Sequence, residues 1–137
     1  MSREMRAKRG EARSPARGAR AGRADWMRVC RRLPGVTEDV KWGQDLVFSV
    51  GGKMFAVFDL EDSSGVSFRT TPALFDALTA KEGVEPAPYL ARHHWLLVTT
   101  SKALAPGTMR DLLAESHRLV ASGLPARVRK SLGLREE

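Results

Sequence analysis

The sequence predicts an α+β domain, an antiparallel β-sheet backed by helices on one face. Three observations lead there. Two strand-like runs meet at Gly51-Gly52, the mark of a hairpin. The following strand patterns come without crossover helices between them, which argues against a parallel sheet. A long amphipathic segment near the C-terminus, 106–122, supplies a helix with one apolar face.

The hairpin reads Leu46 to Val50, two glycines, then Lys53 to Leu60. Paired glycines provide the positive φ angles of a type I′ turn. A two-residue loop then sets Val50 against Lys53, Phe48 against Phe55 and Leu46 against Val57. The last two pairs predict the buried face. The opposite face, Val47, Met54, Ala56 and Phe58, is also mostly apolar and invites a cover of its own.

Upstream, residues 1–23 hold eight cations against two carboxylates, a net of +6 out of the chain's +7. Residues 24–137 therefore carry about +1 and form a nearly neutral body. The N-terminal stretch lacks aromatic and branched aliphatic residues, so it is expected to be a disordered Arg-rich tail preceding a single domain at 24–134. Three roles stay open for it: a basic arm on phosphates, an inert extension or misplaced start, and a transit peptide. Asp25 is expected to cap a helix running to Leu33, with Trp26, Val29, Cys30 and Leu33 on one side, ended by Pro34-Gly35. Val40-Lys41-Trp42 reads as a short edge strand stopped by Gly43.

After the hairpin comes a polar loop, Glu61 to Gly65, then a third strand, Val66 to Arg69. Thr71 and Pro72 form an N-cap and N1 pair that opens a helix over 72–81, ended by Gly83. Val84 to Leu90 carries two prolines and is expected to be extended or irregular. Trp95 to Thr100 is the last clear strand. In the 106–122 helix, Met109, Leu112, Leu113, Ser116, Leu119 and Val120 make the apolar stripe, and Gly123 stops it. Pro125 to Leu132 predicts a final basic helix.

The 137 residues suit one domain. No apolar run is long enough to cross a bilayer, and no secretory n-region and h-region stand at the N-terminus. Cys30 is the only cysteine, which fits a reducing cytoplasm and reads as a small core residue.

The sequence carries few motifs with a defined chemistry. No Gly-rich loop joins a strand to a helix, and no Cys pair or His-x-x-x-His spacing offers a metal site. His93 and His94 on a strand would face opposite ways. Ser116 and His117 diverge by about 100° on a helix, which weakens a nucleophile–base pair. Glu38-Asp39 and Glu61-Asp62 are expected in solvated turns. No catalytic residues, metal or cofactor are predicted, and the chain is expected not to be an enzyme. Lys41-Trp42-Gly43 sets a cation and an aromatic at a sheet edge, and Arg69-Thr70-Thr71-Pro72 sets a cation and hydroxyls at a strand-to-helix junction.

With these residues in hand, the chain resembles the MmcQ/YjbR family of small bacterial proteins. The resemblance rests on Leu33-Pro34-Gly35-Val36-Thr37-Glu38, Lys41-Trp42-Gly43, Val50-Gly51-Gly52-Lys53-Met54-Phe55-Ala56, Val66-Ser67-Phe68-Arg69-Thr70, Pro88-Tyr89-Leu90, His94-Trp95 and Ser116-His117. It covers about Asp25 to Leu132. The family commonly has Lys at the position of Arg69 and Tyr at that of His117. The resemblance implies a frataxin-like two-layer fold and a DNA-binding role.

Two functional expectations follow. In the first, the chain is a non-enzymatic DNA-binding protein whose tail adds nonspecific, salt-sensitive phosphate contacts. Its binding residues are Lys41, Lys53, Arg69, Arg92 and His94, with Arg127, Arg129 and Lys130 on the last helix. In the second, it is a protein- or small-ligand-binding module using the sheet face near Trp42 and Trp95. Neither involves a membrane.

Overall fold

A computed structural model describes residues 22–61 and 65–134. The expected disorder of residues 1–21, and the centre of the 61–65 loop, lie outside these residues. Among the described residues, six strands form one sheet: β1 (Val36–Lys41), β2 (Asp45–Val50), β3 (Lys53–Asp59), β4 (Val66–Arg69), β5 (Val84–Pro86) and β6 (Trp95–Val98). Their spatial order is β1-β2-β3-β4-β6-β5, and every neighbouring pair is antiparallel. The helices are α1 (Arg23–Arg31), α2 (Pro72–Leu78), α3 (Pro106–Ser122) and α4 (Ala126–Ser131). The α+β class and antiparallel sheet are as predicted.

The Gly51-Gly52 turn has φ of 58° and 81°, and Val50 faces Lys53. The register then departs from the expected one. Ser49 faces Met54, but Phe48 faces Ala56 and Leu46 faces Phe58, because β3 carries a bulge at this step. A bulge sets two residues against one, so Phe55 joins Ala56 and Phe58 in the helix-covered core, and Val57 moves out of it. Phe48 and Phe55 still meet, with ring centroids 6.4 Å apart, and Phe58 sits edge-on to Phe48. The bulge thereby gathers three phenylalanines where alternation alone would divide them.

α1 is capped by Gly22 rather than Asp25. Asp25 stands at the third helical position, and its carboxylate accepts the Gly22 N–H at 3.0 Å. Arg23, expected in the tail, is the first helical residue. β1 is longer than expected, and Glu38-Asp39 lie within it rather than in a turn. Glu38 pairs there with Arg31 at 2.7 Å. Trp42 falls outside the strand, with φ of 54°.

Thr71 caps α2 as predicted, accepting from the Leu74 N–H. The helix ends at Leu78, short of residue 81, where the Thr79 hydroxyl turns back to the Phe75 carbonyl at 2.8 Å. Val84–Pro86 pairs as an edge strand beside β6, which itself stops at Val98. His93 and His94 are not strand residues: His93 ends a 3-10 turn and His94 has φ of 65°. α3 has the expected bounds and buries Met109, Leu112, Leu113, Ser116 and Val120, with His117 besides.

Candidate functional site

The site forms where β3 begins, β4 ends and β6 begins, against the C-terminal end of α3. Pairing between β3 and β4 runs from Phe58–Val66 to Ala56–Phe68 and stops. One more step would set Phe55 opposite Arg69. Instead the buried Ser116 hydroxyl lies between them: it accepts from the Arg69 N–H at 2.9 Å and donates to the Phe55 carbonyl at 2.6 Å. A helix side chain thus replaces a ladder contact. Beyond that break, Lys53, Met54, Arg69, Leu90, His93 and Trp95 line an open basin of about 640 Å³, closed on one side by Val120, Gly123 and Leu124.

The basin is cationic. The side chains of Lys53, Arg69 and His93 are exposed and come from three separate elements. Neither Lys53 nor Arg69 forms an ion pair among the described residues. None of the residues lining the basin is acidic. A helix C-terminus carries partial negative charge, and here it is countered: the Arg129 guanidinium donates to the Leu124 carbonyl and reaches that of Ser122 at 3.4 Å.

The residues singled out in the sequence divide into groups. Lys53, Arg69 and Trp95 come together, and Arg92 adjoins them through His93. Trp95 is buried, so it forms part of the wall and is not an exposed contact. The His94 ring packs edge-on to Phe75, and its carbonyl accepts both the amide and the hydroxyl of Thr70. Lys41 and Trp42 lie at the far end of the sheet, since Lys41 pairs with Asp45 while Val36 pairs with Val50 beside the turn. Trp42 is 67% exposed there and does not share a surface with Trp95. Arg127 and Lys130 are exposed on α4, whereas Arg129 is engaged with carbonyls.

Ser116 and His117 do not act as a pair. The His117 ring is buried, with Nε2 2.7 Å from the Pro34 carbonyl, so that nitrogen carries the proton and donates. The ring lies at right angles to that of Phe55, with centroids 5.2 Å apart. Sequence reading missed Met54, Leu90 and His93, because nothing local marks residues that only the strand ends bring together. It also missed Asp45 and Asp59, which face each other across β2 and β3. They share a second cavity of about 370 Å³ with Ser67 and Thr99. Burial, and then the Asp59 carboxylate, push the pKa of Asp45 up. Among the described residues, no group of three or more His, Cys, Asp or Glu side chains is placed to hold a metal, and no helix is long and apolar enough to cross a membrane.

Fold and site together define a small two-layer α+β domain with a cationic basin at one end of its sheet. The chain belongs to the YjbR family, whose model matches residues 31–119. It is similar to the Deinococcus radiodurans protein DR2400, described by the family label DUF419, with 29% identity over 82% of this chain and 88% of that one and a TM-score of 0.74. A Pseudomonas syringae protein shares the fold at 18% identity, covering 73% of this chain and 99% of that one, with a TM-score of 0.60. No curated protein matches the chain.

Proposed function

We propose that this protein is a non-enzymatic, regulatory DNA-binding protein that holds phosphates in the basin at the end of its sheet. The observation that carries this reading is the convergence of Lys53 and Arg69, without ion-pair partners among the described residues, on a basin with no acidic lining residue. Cations left open to solvent in a concave site favour an anion of matching spacing. The basic N-terminal segment adds sequence-independent phosphate contacts, which weaken steeply as salt rises. Arg92, next in the chain to the lining residue His93, is a further exposed cation.

Mobility shifts across a salt series test this. The expected result is retention of DNA near 50 mM salt and a steep loss by about 200 mM. Lys53→Ala and Arg69→Ala should each weaken binding to all sequences alike and lower the salt slope by about 1. Deletion should stop at residue 21, because Gly22 caps α1, and should lower affinity further. Absence of binding at low salt, or a flat salt response, defeats the reading.

A second reading is a small-ligand module. The basin volume of about 640 Å³ favours it, since ligand clefts commonly span about 300–1,000 Å³. Trp95 in the wall should then report an anionic metabolite by a fluorescence change. A silent screen removes it.

A further inference from the structure

We propose that Tyr89 is a stacking platform for an unpaired nucleobase, which makes a single strand the preferred form of nucleic acid at the basin. This rests on the phosphate-binding reading above and narrows it.

Tyr89 is 98% exposed and has φ of 68°. It belongs to a tight turn in which the Ala87 carbonyl accepts the Leu90 N–H at 3.2 Å. Pro88 occupies the second position and Tyr89 the third. A type II turn requires positive φ at that third position, and glycine is the residue that adopts it without strain. A side chain there costs about 1–2 kcal/mol. Burial of the ring does not offset that cost, because nearly all of the residue is in water. An aromatic held in strained backbone without packing points to contact with a second molecule.

The surroundings indicate which kind. Leu90 and His93, one and four residues on, line the cationic basin beside Lys53 and Arg69. Arg92 is exposed between them. Tyr89 leads into the segment that carries Arg92 and enters the basin at Leu90 and His93, and an aromatic followed by cations matches an alternation of bases and phosphates: each base offers a flat π-face and each linkage an anion. A base inside a duplex has both faces covered by its neighbours, so only an unpaired one can stack on Tyr89. Single-stranded DNA and RNA share this chemistry, and the 2′-hydroxyl alone separates them.

Fluorescence anisotropy tests this with labelled single-stranded DNA, single-stranded RNA and duplex DNA of one length and sequence. The proteins are the full chain and its Tyr89→Gly, Tyr89→Phe and Lys53→Ala variants. Wild type should bind a single strand more tightly than the duplex, and the two single-strand arms identify the sugar. Tyr89→Gly should weaken single-strand binding about 5- to 150-fold. It should leave the duplex affinity and the salt slope unchanged, while Tyr89→Phe restores wild-type binding. Lys53→Ala should lower the salt slope instead. Glycine suits this turn, so Tyr89→Gly should melt no lower than wild type. Equal single-strand affinities for wild type and Tyr89→Gly, or a marked loss of thermal stability in that variant, overturn the stacking role. Retained, salt-sensitive duplex binding would then leave the phosphate reading standing. Failure of every probe to bind removes both.

Discussion

The hydroxyl of Ser116 donates to the carbonyl of Phe55 across 2.6 Å, tying the middle of α3 to the bulge in β3. The same oxygen accepts the Arg69 amide. One side chain thus satisfies two backbone groups at the point where two strands stop pairing. The basin lies directly beyond.

Ser116→Ala removes that bridge and leaves both groups short of a partner in a buried setting. The expected loss is roughly 1–3 kcal/mol in chemical denaturation. Ser116→Thr keeps the hydroxyl but adds a methyl beside fully buried neighbours, and should recover only part of the loss. Full stability in Ser116→Ala would show that the bridge contributes nothing.

The two turn glycines should respond differently to substitution. Gly51 has φ of 58°, and a Cβ there would lie 2.6 Å from a Leu124 methyl. Gly51→Ala should therefore cost roughly 2–4 kcal/mol, from backbone strain and overpacking together. Gly52 has φ of 81° and open space around it. Asparagine tolerates the left-handed region, so Gly52→Asn should change stability by less than about 1 kcal/mol. Thermal melts of the two variants distinguish these outcomes.

Asp45 sets a pH dependence. Burial and the facing Asp59 carboxylate raise its pKa in the folded chain. The folded state then holds that proton more tightly than the unfolded state, so the destabilisation is absent in acid and complete at neutral pH. Asp45→Asn should raise the melting temperature at pH 7, and the gain should vanish below about pH 3, where the carboxyl is neutral in both states. Glu38 beside Arg31 and Glu115 beside Arg118 have lowered pKa values and act in the opposite sense, losing stability as pH falls. As surface pairs they contribute little. An Asp45→Asn gain that persists at low pH would contradict this account.

Cys30 should be inert in the folded protein. It is fully buried, and burial pushes its thiol up to about 12, only partly countered by Arg31. Thiolate is the reactive form. Reaction with an aromatic disulfide reagent should be negligible under native conditions and complete in denaturant. Rapid native labelling would show that α1 opens locally.

Features encoded over a few residues were legible in the sequence. The limits of α3 follow from Pro106, the apolar stripe and Gly123, and β4 follows from Val66 and Phe68 alternating with polar residues. The Thr71 cap of α2 follows the same logic. The hairpin register was legible only beside the turn. The bulge depends on how Phe55 and Ala56 fit beneath α3, about sixty residues on, and no local pattern records that fit. Lys53, Arg69 and Trp95 were each recognisable as candidates, yet their convergence was not, nor was the distance that separates Trp42 from them.

By itself, the amino-acid order determined the two-glycine corner, the succession of helices and strands, and the concentration of positive charge ahead of Asp25. Each of these follows from steric freedom, side-chain periodicity or charge over a short span, so neighbouring residues suffice. Only the tertiary structure decided that a helix hydroxyl interrupts the sheet and that cations from two strands meet in the resulting basin. Those outcomes are set by packing between segments far apart in the chain, where a shift of one residue in register sends a side chain to the opposite face.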